Sequence, residues 1–176
     1  VRPASLLLCL PFLLSFRNGR EDRDDTVAVL FAPTGERRAL EAAIGAELRT
    51  ASRSIDVAMF HFTSDRLVQS LAERRRAGLT VRVLLDRLQS DDDFVRRLQA
   101  EGLEVRRVTP REPEARFHQK YVVLDAKIVV TGSYNWTVQG DIANHENVVI
   151  LRHEAAARAF HEEFEKTWQD KELSQR

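Results

Sequence analysis

The chain has 176 residues, in which 27 lysines and arginines balance 27 aspartates and glutamates, 43% of residues are hydrophobic and one is cysteine. That length supports one domain of ordinary size with a substantial core, and seven glycines with five prolines exclude a collagenous or low-complexity chain. The single cysteine excludes an intrachain disulfide framework and a cysteine-rich zinc site, and net neutrality argues against coating nucleic acid by bulk charge.

The first 25 residues read differently from the rest. Behind Arg2, the run from Leu6 to Phe16 is almost entirely apolar. It is shorter than the ~20 residues that span a bilayer and suits the hydrophobic region of a secretory signal, about 7–15 residues behind a positive charge. Arg17 to Asp25 then forms a charge-mixed linker. The expectation is a signal peptide or short membrane anchor plus linker over 1–25, an exported protein (periplasmic or secreted), and membrane association through this segment. The folded domain is expected over 26–176.

From Thr26 the pattern alternates strand and helix. Val27 to Phe31 is a short apolar run closed by Pro33 and Gly35, which suits a buried strand. Leu40, Ile44, Leu48 and Ala51 recur at helical spacing. Ile55 to Phe60 reads as a second strand, Ser64 as the cap of a helix carrying Leu67, Val68 and Leu71 and ending near Gly78, and Val81 to Leu85 as a third strand. Ser90-Asp91-Asp92-Asp93 supplies a hydroxyl cap and an acidic first turn for a helix that ends at Gly102; Leu103 to Val108 follows as a strand. Tyr121 to Leu124 and Ile128 to Thr131 flank Asp125-Ala126 like a tight hairpin. Val148 to Leu151 is a last strand, and Phe160, Phe164 and Trp168 stripe a terminal helix. The alternation predicts an α/β fold, a three-layer α-β-α sandwich around a mixed, mainly parallel sheet.

Between Phe117 and Asn147 the sequence concentrates reactive side chains. Residues two apart on an extended segment share a face, which places His118 beside Lys120. Imidazole serves as nucleophile or as general acid and base, and a fixed ammonium neutralises phosphate oxygens. Asn135 adds an amide, and the Gly132-Ser133 turn adds a hydroxyl and room for close backbone approach. Such a donor cluster suits charge developing on a phosphoryl group.

His118, Lys120, Asp125, Gly132, Ser133 and Asn135 reproduce His-x-Lys-x4-Asp-x6-Gly-Ser-x-Asn at every interval. This stretch closely resembles the phospholipase D superfamily signature. With Glu146-Asn147 ahead of an apolar strand, it is similar to the small single-motif members, bacterial endonucleases and the mitochondrial cardiolipin-hydrolysing type among them. The bacterial branch is the nearer, because the cysteine-containing features of the mitochondrial type are missing. The likeness runs from about Thr26 to Trp168 and makes 26–176 the catalytic domain; its motif-level specificity lies between His118 and Asn147. Ala126 departs from the pattern, since many members carry glycine after the aspartate.

The resemblance implies hydrolysis of a phosphodiester in two steps without a metal or cofactor. His118 attacks phosphorus to give a phosphohistidine; a second histidine protonates the leaving oxygen and then activates water. One His-x-Lys motif per chain implies a homodimer whose two His118 side chains face each other across the axis. Lys120 and Asn135 then bind non-bridging oxygens, Ser133 supports the site, Glu146 holds the other ring nitrogen of His118, and Asp125 completes the motif, more as a structural member than as a proton carrier. Gly132, His61, Arg116 and Trp136 are candidate substrate contacts: His61 for its place at a strand's carboxyl end, Arg116 as part of a basic rim, and Trp136 as a platform for a base. A nonspecific endonuclease acting on DNA or RNA is the leading expectation. A phospholipase attacking headgroups, cardiolipin included, is the alternative within enzymes. A nucleic-acid- or lipid-binding module without turnover is the alternative outside them.

Overall fold

A computed structural model describes residues 26–34 and 36–175. The expectations for 1–25, the signal or anchor segment and with it the site of export, lie outside the described residues. No helix among those described is long and apolar enough to cross a membrane. In chain order the elements are β1 (Thr26–Ala32), α1 (Ala39–Thr50), β2 (Ser54–Met59), α2 (Asp65–Arg76), β3 (Thr80–Asp86), α3 (Asp92–Ala100) and β4 (Glu104–Val108). They continue with β5 (Lys120–Leu124), β6 (Ile128–Gly132), α4 (Val138–Ile142), β7 (Glu146–Arg152), α5 (Glu154–Gln169) and β8 (Ser174–Gln175).

One eight-stranded sheet runs in the order β1-β7-β6-β5-β2-β3-β4-β8. Its first face is covered by α1, α2 and α3, whose Leu40, Ile44, Leu48, Leu67, Leu71 and Leu98 pack on Val57, Val83, Val122 and Val130. Its second face is covered by α5, through Ala157, Phe164 and Trp168 against Ala58, Leu84, Tyr121 and Val123. This is the expected three-layer sandwich with a mixed sheet, but the balance of strand directions differs. Only β2–β3 and β3–β4 pair in parallel; the pairings β1–β7, β7–β6, β6–β5, β5–β2 and β4–β8 are antiparallel. The physical reason is that three late strands slot between β1 and β2. The two flanking strands keep the common direction that a β-α-β connection favours, yet they are never neighbours.

The hairpin expected at Asp125-Ala126 is present, with both residues left-handed at φ 55° and 54° and Lys127 N–H donating to the Leu124 carbonyl at 2.9 Å. These are the torsions of the two-residue turn that matches strand twist, adopted here by an alanine. Ser64 caps α2 as expected, accepting from Leu67 N–H at 3.2 Å. At α3 the cap is Asp91, which accepts from Phe94 N–H at 2.7 Å, while Ser90 donates to the Asp86 carbonyl at 2.7 Å. Helix α1 has no local side-chain cap. Its first amides, Leu40 and Glu41, donate instead to the buried carboxylate of Asp141 at 3.1 and 2.7 Å, which ties α4 and the segment before β7 to the helical layer.

Candidate active site

The antiparallel insertion brings four strand ends together. The amino ends of β5 and β7 and the carboxyl ends of β6 and β2 share one edge of the sheet, the edge on which β3 and β4 also finish. His118, Lys120, Ser133 and Glu146 all sit there. The sheet thus opens its site at the carboxyl ends of its parallel strands, as α/β folds do.

His118 is exposed and lies just before β5. The Lys120 ammonium is 3.3 Å from its Nδ1 and 3.2 Å from its Nε2, and donates to the His118 carbonyl at 3.2 Å. The expected juxtaposition is therefore present, with the ammonium placed against whichever ring nitrogen carries the lone pair. Burial pulls the Lys120 ammonium below its usual range, and the charge of Glu146 works against that shift. Partial desolvation makes a cation a stronger partner for an anionic oxygen, because less water screens it.

Ser133, Glu146 and Asn147 form a second cluster. The Ser133 hydroxyl donates to Glu146 and accepts from the Asn147 amide N–H at 3.0 Å and from its side-chain nitrogen at 3.3 Å. Glu146 also accepts from Asn144 at 3.4 Å. Within one chain, then, Glu146 holds Ser133 and not His118, a correction to the expected pairing. The reason is register: Gly132 stands opposite Val148, so Glu146 overhangs the Ser133 turn. Asn135 is half-buried, and its side-chain oxygen is buried without a hydrogen-bond partner.

Asp125 is not at this site. It stands beyond the other end of β5, about 17 Å from Lys120 at the rise of an extended strand. Its carboxylate accepts from Ser52 N–H and Oγ and from Arg53 N–H, each at 2.8 Å, and from Ser54 N–H at 2.9 Å. Burial acts to raise its pKa, but these bonds win and hold it below the usual carboxylate range. The catalytic set therefore loses Asp125, which fastens the hairpin to the start of β2.

Two candidate substrate contacts are corrected as well. Trp136 is 2% exposed and packs edge-on against Phe62 with centroids 5.0 Å apart, while its carbonyl accepts from Thr63 and Ser64. It is a core residue, because the chain after Asn135 turns inward to reach α4. At Gly132 (φ 152°) an added Cβ would lie 2.2 Å from the Asn147 carbonyl oxygen. Its role is close approach of β6 to β7, which positions Ser133 without touching substrate. His61 is half-buried just past β2, and Arg116 is exposed with its guanidinium on the Ala115 carbonyl at 2.8 Å. Both lie near the site edge, and neither hydrogen-bonds the His118–Lys120 pair.

Two contributors carried no sequence motif. The Phe60 ring lies 4.4 Å from the His118 ring, centroid to centroid, at 58°. Asp86, 1% exposed at the end of β3, accepts from Phe117 N–H at 2.8 Å and from Leu88 and Gln89 N–H at 3.0 and 3.1 Å. It fixes the segment that delivers His118. An acid closing an apolar strand was the available signal.

An α/β sandwich presenting one His-x-Lys pair and a Gly-Ser-x-Asn turn at a shared sheet edge defines a domain of the phospholipase D type. The family described as "Cardiolipin synthase, PLD-like domain" matches residues 44–168, and the chain belongs to this phospholipase D-like family. It is similar to the mitochondrial cardiolipin hydrolase of Xenopus laevis, 32% identical over 126 residues that cover 70% of this chain and 59% of that protein. The human mitochondrial cardiolipin hydrolase is 32% identical over 124 residues, covering 69% of this chain and 48% of the relative. The chain thus spans about half the length of the curated relatives it matches. Among solved structures, Nuc from Salmonella typhimurium, a phospholipase D family member, superposes with a TM-score of 0.74 at 22% identity over 86% of this chain and 97% of that one. NucT from Helicobacter pylori gives 0.73 at 16% identity, over 81% and 95%. Both likenesses speak to the fold.

Proposed function

We propose that the chain is a phosphodiester hydrolase in which His118 is the nucleophile, Lys120 and Asn135 bind the non-bridging oxygens, and Ser133 and Glu146 shape the rim. The observation that carries this reading is the Lys120 ammonium within 3.3 Å of both ring nitrogens of an exposed His118. Such a pair presents a nucleophile and an anion-binding charge to the same phosphorus. His118 forms the bond to phosphorus as the first alcohol leaves, and water then releases the phosphoryl group. The acid and base for the two proton transfers is a second His118, supplied by a two-fold related copy, so the working unit in this proposal is a homodimer.

A nonspecific nuclease is the substrate class we favour. The site is open at a sheet edge, and Arg116 stands exposed in the segment leading to it. A few local cations suffice to grip one phosphodiester, so a neutral chain is no obstacle. A second reading, attack on phospholipid headgroups, is favoured by the identity of about one third to proteins named as cardiolipin hydrolases. Purified protein incubated in EDTA with plasmid, single-stranded RNA or cardiolipin vesicles separates these readings. The expected result is cleavage of nucleic acid that disappears in His118→Ala; cleavage confined to cardiolipin selects the second reading. An inactive wild-type protein that still binds either polymer or vesicle contradicts both.

A further inference from the structure

We infer that Phe60 is a positioning residue for His118, a fixed aromatic wall that holds the imidazole in one orientation for attack on phosphorus. This rests on the reading of His118 as nucleophile. His118 lies outside the β5 ladder and is exposed, and among the described residues the only side chain that hydrogen-bonds its ring is Lys120. The carboxylate expected to orient it is committed to Ser133. Against the imidazole, among the described residues, stands the Phe60 ring at 4.4 Å and 58°. The same ring stands 5.1 Å from the Lys120 ammonium, close enough to attract the cation to its face. One side chain therefore contacts both members of the pair.

Phe60 is itself well fixed. It follows Met59, which is 1% exposed, and its N–H donates to the Gln119 carbonyl at 2.7 Å, extending the β2–β5 pairing by one step toward His118. The wall and the segment carrying the nucleophile thus move as one unit. A tilted aromatic contact of this kind favours one rotamer by roughly two- to twelve-fold over its alternatives. In-line attack uses only the rotamer that aims a ring nitrogen at phosphorus, so losing the wall lowers kcat by about two- to three-fold as the three staggered wells become equally populated. The Lys120 charge and Asn135 remain to bind phosphate, and losing the ring's weak contact with the ammonium should raise KM by only about two-fold. A purely structural Phe60 would show the opposite pattern: a lower melting temperature with kcat per folded molecule unchanged.

The test uses Phe60→Leu, which keeps apolar bulk and removes the ring, and Phe60→Tyr, which keeps the ring. Steady-state kinetics on a chromogenic aryl phosphodiester are paired with one-dimensional proton NMR of the imidazole resonances, the His118 signal being assigned by its loss in His118→Ala. In the wild-type protein the His118 signal should carry a ring-current shift that is lost in Phe60→Leu and kept in Phe60→Tyr. The expected kinetics are a kcat about two- to three-fold lower in Phe60→Leu with KM within about two-fold, and near-complete recovery in Phe60→Tyr. An unchanged kcat in Phe60→Leu, or a kcat equally low in Phe60→Tyr, overturns the positioning role while leaving His118 as nucleophile. Full activity in His118→Ala removes the underlying reading and the proposal with it. A His118 signal indifferent to Phe60→Leu refutes the ring contact whatever the kinetics show.

Discussion

Replacing Asp125 with asparagine separates motif membership from catalysis. The Asp125 carboxylate accepts four hydrogen bonds, from Ser52 N–H, Ser52 Oγ, Arg53 N–H and Ser54 N–H, at 2.8–2.9 Å. Asparagine keeps one oxygen for the Arg53 and Ser54 amides but turns an NH2 toward the two Ser52 donors. Bonds to a charged acceptor are worth about 1.5–3 kcal/mol each. Ser52 and Arg53 are exposed, so water replaces part of what is lost. A net loss of about 2–3 kcal/mol follows, or roughly 5–10 °C in melting temperature for a domain of this size. The carboxyl is held below its ordinary 3.8, because the hydrogen bonds outweigh the burial that would raise it. A depressed pKa means the contribution is present above the unfolded value and is lost as pH falls through the folded one. Urea titrations at pH 7 should therefore separate wild type from Asp125→Asn, and the gap should narrow only below about pH 4. Measured per folded molecule, kcat should stay within about two-fold, since Asp125 is remote from His118. A kcat at least tenfold lower with an unchanged denaturation midpoint would refute the reasoning and return Asp125 to the catalytic set.

The hairpin makes a complementary case. Ala126→Gly relieves a left-handed alanine at φ 54° and should raise the melting temperature by about 1–3 °C in calorimetry, the relief outweighing the extra freedom of glycine when unfolded. Gly132→Ala, by contrast, drives a Cβ to 2.2 Å from the Asn147 carbonyl, so β7 must shift with Glu146 and Asn147; we expect a loss of about 3 kcal/mol or more and little activity in the folded fraction. Trp136→Phe should cost about 1–3 kcal/mol in denaturant titrations with KM for oligonucleotide unchanged, since the ring is buried against Phe62. A raised KM with intact stability would restore the base-stacking role.

Much of this is legible in the sequence. Strand and helix positions follow from local periodicity, and the Ser64 cap and the Asp125-Ala126 turn follow from local chemistry. The pairing of His118 with Lys120 needs only the two-residue repeat of an extended segment. Strand order was not legible. The apolar runs of β1 and β2 say that each is buried, not that β5, β6 and β7 lie between them. That Asp125 and His118 stand at opposite ends of β5 was, by contrast, implicit in the extended run between them and the turn at Asp125-Ala126. Trp136 and Asp141 show a second limit. Whether a tryptophan after Asn135 stacks on a base or on Phe62, and whether an aspartate caps a helix 100 residues earlier, depends on the path of a loop. In sequence Phe60 is the end of an apolar strand, and only the β2–β5 register brings it to the nucleophile.

The central claim is that His118 carries the phosphoryl group between the two halves of the reaction. The most direct measurement is mass spectrometry of protein quenched in alkali during turnover of a phosphodiester, conditions under which a phosphohistidine survives. The expected result is an acid-labile adduct that maps to the peptide containing His118 and is absent from His118→Ala. Turnover at the wild-type rate in His118→Ala, or an adduct on another residue, would contradict it.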